Sequence, residues 1–182
     1  MVKVISCVIS GSELCSDAWP DLNSTIESCP EGVYICQSNM IVEGQISVYA
    51  AGAFDGDEED AGDEPKVNDI VSKFELKQCE GLGKKDFKAM LMGHVKAVMK
   101  KKTLKKLAKE SEEGAATFKA FQESAKAGLT FFLKNFKDCD IYMNEDQNAE
   151  GAYAVGWWNP ESSVTDAPQI MFWLGGCDFR KM

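Results

Sequence analysis

Histidine occurs once in this chain, at His94, and the spacing Cys-x-x-Cys does not occur at all. The first scarcity leaves no second imidazole for a metal pair or a proton relay. The second excludes a paired-thiolate zinc site or redox couple of that spacing. No phosphate-cradling loop is present, because Gly81-x-Gly83-Lys84-Lys85 lacks both the spacing and the Ser or Thr of a nucleotide loop. No helical metalloprotease motif and no nucleophile elbow occurs. No apolar run approaches the ~18 residues of a membrane-spanning helix. The common catalytic constellations are therefore missing.

What is present suffices for a packed core. Of 182 residues, 45% are hydrophobic and 10% aromatic, as expected for a single domain over residues 1–182. The net charge is −9, which argues against nonspecific binding to nucleic acid. The seven cysteines are odd in number and irregularly spaced. That fits free thiols in a reducing, cytoplasmic setting better than a disulfide framework. The N-terminal run MVKVISCVIS carries one lysine and is broken by serines, so it reads as a strand rather than a signal peptide.

Branched and aromatic runs between Gly, Pro, Asn and Ser predict strands over Val2–Ile9, Val33–Cys36, Met40–Val42, Gln45–Ala50 and Val67–Cys79. Phe87, Leu91, Val95, Val98 and Met99 recur at helical spacing, with Leu104 and Leu107 as an extension. Phe118, Phe121, Ala125, Leu129, Phe132 and Phe136 form a second, wider stripe. A break at Gly114 predicts an antiparallel helical hairpin over residues 83–137. Strands follow at Ile141–Met143, Ala152–Trp158 and Gln169–Leu174. The fold class expected is α+β, a mostly antiparallel sheet with the hairpin inserted and the chain otherwise without repeats.

Charge is distributed unevenly. Gly52 to Pro65 holds seven acids and no base, and its self-repulsion predicts a solvated, mobile loop over residues 52–66. Within it Asp55, Asp57 and Glu58 are candidate ligands for weak calcium binding, although position twelve from Asp55 is Lys66 rather than Glu. The absence of Ser and Thr between Val48 and Val71 excludes phosphorylation as a switch inside the loop. Residues 84–109 contain ten lysines and one acid, Asp86, which is half of the 20 basic residues. A basic arm on an acidic body predicts acidic partners, with a solvated helix face as the plainer alternative. His94 lies on or beside the first stripe and is expected to pack rather than catalyse. Trp157, Trp158 and Trp173 are expected in the core and in cross-strand pairs.

The stretch Asn135 to Gly156 carries a more specific pattern. Phe136 is followed by the triplet Ile141-Tyr142-Met143, then Glu145, the Glu150-Gly151 step and a strand that ends at Trp158. These residues resemble the C-terminal signature of the translationally controlled tumour protein family. The run Ile9 to Asp17 resembles its N-terminal segment, Val67-x-Asp69-Ile70-Val71 resembles the strand after its acidic loop, and Gly176 matches its terminal Gly. Departures mark a divergent member. Asn144 stands where the family usually has Gly, Ala50-Ala51-Gly52-Ala53 lacks one Gly and the Asn of the loop signature, no Pro lies between the helices, and the chain ends in Met182 rather than Cys.

The resemblance implies a twisted, tent-like β structure with a protruding hairpin. It also implies a non-enzymatic, monomeric, multi-partner binding protein of growth and survival control, contacting tubulin and small GTPases. Glu13 matches a glutamate implied to contact a Ras-like GTPase, with Asp17 beside it and Glu145 in the signature turn. Lys100, Lys101, Lys105 and Lys106 are the candidate contacts for acidic partners such as tubulin tails. Weak Ca²⁺ binding by the acidic loop and thiol-dependent redox chemistry remain as alternatives.

Overall fold

The structure, a computed structural model, describes residues 2–46 and 63–182. Three antiparallel sheets are present among them. In the first, β1 (Lys3–Cys7) lies between β10 (Cys177–Lys181) and β2 (Glu13–Ser16). The second has five strands in the order β3 (Val33–Gln37), β9 (Gln169–Trp173), β8 (Tyr153–Trp157), β7 (Cys139–Met143) and β6 (Lys77–Gln78). The third pairs β4 (Met40–Val42) with β5 (Lys66–Asn68). The helices are α1 (Asp69–Lys73), α2 (Lys84–Lys101), α3 (Leu104–Glu110) and α4 (Glu112–Lys134). The architecture is α+β.

Every residue of β3, β8 and β9 is buried, which means that both faces of the five-stranded sheet are covered. The two-residue period of a strand sorts these side chains. Tyr34, Cys36, Ala154, Ile170 and Phe172 face a core shared with Ile5, Leu14, Trp19, Ile70 and Phe74. Val33, Ile35, Tyr153, Val155, Met171 and Trp173 face the other core, with Phe87, Leu91, Val98, Phe131 and Phe132 of the helices. The large sheet is thus the middle layer, between the small first sheet and the helices. Sγ of Cys15 in β2 and Sγ of Cys36 in β3 are 3.8 Å apart, which ties the two sheets at one point.

Two expected elements differ. Val67–Cys79 is not one strand. The Asn68 side chain accepts hydrogen bonds from the N–H groups of Ile70 and Val71 at 3.1 and 3.2 Å, capping α1. Asp69 is buried and accepts from Trp19 Nε1 at 2.8 Å and from the Asn39 N–H at 2.9 Å. A buried carboxylate with these donors fixes the turn of chain that a strand reading from Val71, Phe74 and Leu76 overlooks. Gln45 and Ile46 carry no strand, and the remainder of the strand expected at Gln45–Ala50 lies outside the described residues. Two further strands, β2 and β10, occur where none is expected.

The helical region also has an additional corner. The chain leaves α2 through Thr103, whose φ of 51° is left-handed, and α3 then runs to Ser111. Ser111 Oγ accepts from the Gly114 N–H at 2.9 Å and caps α4. Gly114 is therefore in the first turn of α4 rather than at a break, and a Cβ there would strike the Leu107 carbonyl. The close α3–α4 corner is the reason for glycine at that position. α2 and α4 are antiparallel. Phe87 at the start of α2 stacks on Phe136 beyond the end of α4, at 5.7 Å. At the other end, Phe121 of α4 meets Trp173 at 5.4 Å, close to where Lys102 Nζ donates to the Gly175 carbonyl at 3.1 Å.

His94 is the wedge between α2 and the sheet. It is 2% exposed and stands edge-on to Tyr153 and Trp173, at 6.3 and 5.6 Å. Its Nδ1 is 2.7 Å from the Glu150 carbonyl oxygen, so the neutral ring donates from Nδ1 and leaves Nε2 without a partner. Nε2 faces Gly176, where any Cβ would run into the ring. The expected packing role of His94 and the aromatic core role of Trp157 and Trp173 hold, whereas Trp158, expected beside them in the core, is exposed. Burial lowers the His94 pKa from 6.5, a shift only partly opposed by the Glu150 hydrogen bond. The unfolded chain therefore takes up a proton before the folded one, and folding weakens as pH falls through 6.5 toward the lower folded value. Urea midpoints measured from about pH 7.5 down to about pH 5.5 should fall more steeply for the natural chain than for His94→Gln. Parallel curves would show that His94 is not the group that titrates.

Candidate protein-binding surface

The candidate residues form two surfaces. On the first, Glu13 is exposed and opens β2 rather than standing in a loop, opposite Ser6 across a bulge in the β1–β2 ladder. Asp17 is exposed and accepts from the Lys3 N–H at 2.8 Å, while its own N–H donates to the Lys3 carbonyl at 3.0 Å. Its carboxylate thus closes the end of the β1–β2 pair, a structural duty that the sequence did not reveal. Ser12 Oγ donates to Asp146 Oδ2 at 2.9 Å. That bond joins the N-terminal run to the signature turn, so Glu13 and Glu145 belong to one acidic edge.

Glu145 is fully exposed and shares a hydrogen bond with Glu75. This bond and the Glu75 charge push the Glu145 carboxyl above the ordinary range, with Lys77 opposing the shift. Glu75 has a left-handed φ of 51°. It was hidden in the sequence by its place between Phe74 and Leu76, inside an apparent strand. Asn144 is completely buried and braces the turn from within: Oδ1 accepts from the Asn148 N–H at 3.2 Å and Nδ2 donates to the Asn148 carbonyl at 3.4 Å. Trp158, at the end of the signature, is exposed and donates from Nε1 to Asp140 at 2.9 Å.

The second surface is basic. Nine of the ten lysines between 84 and 109 are exposed and Lys102 is half-buried. Lys100 and Lys101 stand on the last turn of α2, and Lys105 and Lys106 stand beyond Thr103 on α3. Lys96, Lys100 and Lys101 line a groove of about 550 Å³ with Ile9, Gly93 and Glu150. Lys101 Nζ donates to the Ile9 carbonyl at 3.3 Å, which fixes one cation at the groove wall. Lys96 joins these lysines through its i, i+4 relation to Lys100, a spacing that the sequence carries. Among the described residues one ion pair occurs, Lys106–Glu110 at 3.8 Å, on the surface. Asp55, Asp57 and Glu58 lie outside the described residues, and no group of three or more metal-ligating side chains is assembled among those described.

A family model for the translationally controlled tumour protein matches residues 2–178. The chain belongs to the translationally controlled tumour protein family. It is 30% identical over 179 residues to the homologue from Yarrowia lipolytica and 29% identical over 178 residues to that from Aspergillus oryzae, covering 96% of each chain in both pairs. A solved structure, the translationally controlled tumour-associated protein p23fyp from Schizosaccharomyces pombe, matches with a TM-score of 0.66 and 25% identity over the full length of both chains. Family membership accounts for the sheet arrangement and the place of the helices. It does not by itself say which partner meets either surface. Among the described residues no helix is long and apolar enough to cross a membrane.

The cysteines of this family member are all free. Cys7, Cys15, Cys36 and Cys177 are buried, and Cys29, Cys79 and Cys139 are half-buried. Burial, aided by Asp21, pushes the Cys29 thiol up to about 11. Burial, aided by Asp138 and Asp140, pushes Cys139 up to about 12. The thiols of Cys36 and Cys177 are also raised, the first chiefly by its hydrogen bond with Cys15 and the second by burial. These groups stay protonated at neutral pH, whereas the thiolate is the reactive form. In a disulfide-exchange assay with DTNB near neutral pH, the folded protein should release colour far more slowly than a free thiol, and all seven thiols should react at once in guanidinium. A fast phase in the folded protein would reveal an activated cysteine.

Proposed function

We propose that this chain is a non-enzymatic, multi-partner binding protein that meets acidic protein surfaces, such as tubulin tails, through the basic arm of α2 and α3. The observation that carries this reading is the exposure of nine lysines along residues 84–109 with a single surface ion pair among the described residues. A solvated helix face of a monomer usually mixes both charges, because like charges along a helix repel. Here the chain keeps them together on an acidic molecule, at an energetic cost that an anionic partner would relieve. The opposite charge of the Glu13–Glu145 edge suits a second class of partner with a basic rim, and a small GTPase is the reading that the family supports there. Electrostatic contacts of this kind act mainly on encounter rate and partner choice.

Tubulin pelleting or fluorescence titration with purified tubulin tests the first contact. Replacing Lys100, Lys101, Lys105 and Lys106 by Glu should weaken binding roughly tenfold or more at low salt. The affinity of the natural chain should fall as salt rises, while that of the variant should change little. Salt-independent binding by the natural chain, or full binding by the variant, would overturn the reading.

A further inference from the structure

The first sheet has an open edge. β10 is its outer strand, and no described strand lies beyond it. Four of its five residues are exposed, among them Phe179 at 54%. Such an edge offers unpaired backbone groups to another strand unless the sequence guards against it. The run Cys177-Asp178-Phe179-Arg180-Lys181 contains no proline and sets charges of opposite sign on either side of one aromatic residue.

The ladder with β1 decides which backbone groups face outward. The Val8 N–H donates to the Gly176 carbonyl and the Met182 N–H to the Val2 carbonyl, both at 3.0 Å. These bonds bracket the register that runs from Lys3–Lys181 to Cys7–Cys177. Bonded residues alternate in an antiparallel pair, so Asp178 and Arg180 turn their backbone groups toward β1. Phe179 and Lys181 turn theirs away from the sheet. The Cys177 carbonyl also points outward, while the Cys177 N–H is used within the chain on the Leu174 carbonyl. Side chains alternate as well. Asp178 and Arg180 share one face, and Phe179 stands on the other, opposite the buried Ile5.

These positions make β10 complementary to itself. Pairing two copies antiparallel about a two-fold axis at Phe179 joins the Phe179 N–H of each to the Phe179 carbonyl of the other. Each Lys181 N–H then reaches a Cys177 carbonyl. Asp178 of each copy lies opposite Arg180 of the other, in the non-hydrogen-bonded positions where facing side chains are closest. The adjacent registers are worse. An axis at Asp178 sets two carboxylates against each other, and an axis at Arg180 sets two guanidinium groups against each other. We propose that β10 is a self-association edge, through which two copies of this chain merge their three-stranded sheets in the register centred on Phe179. A contact this short buries less than the ~1,200 Å² of a stable interface, so its Kd is on the order of 100 µM and dilute protein stays monomeric. The contact uses no residue of the basic arm or of the Glu13–Glu145 edge.

Sedimentation velocity of the full chain in reducing buffer, from about 10 µM to about 1 mM, tests this. The sedimentation coefficient should rise with concentration toward that of a dimer. Asp178→Arg alone and Arg180→Asp alone should each weaken association about tenfold, because each places like charges opposite one another at both ends of the pair. Both side chains are exposed, and an unchanged thermal midpoint confirms that each variant is folded. An equal mixture of the two variants should associate as well as the natural chain, since every facing pair is then Arg with Asp. The double variant, with the two charges exchanged, should do the same. A sedimentation coefficient independent of concentration, association indifferent to the single reversals, or a mixture that stays monomeric would each overturn the assignment.

Discussion

The constraint on which this molecule depends is the seating of α2 and α4 on one face of the five-stranded sheet. That contact is aromatic and closely packed. Phe87 stacks on Phe136 and meets Tyr153 edge-on, His94 stands between Tyr153 and Trp173, and Phe121 closes against Trp173. Fully burying side chains of this size contributes about 1.5–3 kcal/mol each, and edge-to-face pairs contribute about 0.5–1.5 kcal/mol more. The glycine at 176 leaves the room that His94 occupies. The lone histidine is a fitted part of the interface between layers.

Surface chemistry follows from that seating. Because one stripe of α2 is buried, its lysines are forced to the opposite face, and the turn at Lys102 is anchored to Gly175 while α3 carries Lys105 and Lys106 further along. Beside the end of α2, the Ser12–Asp146 bond draws the N-terminal run and the signature turn into one acidic edge. The two charges lie near each other, because Lys96, Lys100 and Lys101 share a groove with Ile9 of the N-terminal run and Glu150 of the signature turn, and no ion pair joins the two surfaces among the described residues.

Much of this was legible in the sequence, and the parts that were not have identifiable causes. The long apolar stripes of α2 and α4 and the aromatic-rich strands β3, β7, β8 and β9 announce themselves because burial on a fixed period is the strongest local signal. The strand β10, read as Cys177-Asp178-Phe179-Arg180-Lys181, has four exposed residues, and its pairing with β1 leaves no pattern to read. The strand β2 is four residues long and begins with a charge. The capping by Asn68 lies inside a run whose branched and apolar residues, Val67, Ile70, Val71, Phe74 and Leu76, read as strand. The carboxylate duties of Asp17 and the Glu75–Glu145 pair are set by register and by contacts between distant segments, which no local pattern encodes.

The basic arm is held as part of the folded body rather than as an independent helix. Native-state hydrogen exchange tests it most directly. The amides of Leu91, Val95 and Val98 in α2 should open with the same free energy as those of β8 and β9, because the same interface protects them, while the amides of α3 should exchange earlier through local opening. Exchange of α2 at the rate of α3, with β8 and β9 still protected, would show that the arm detaches freely and would contradict the account.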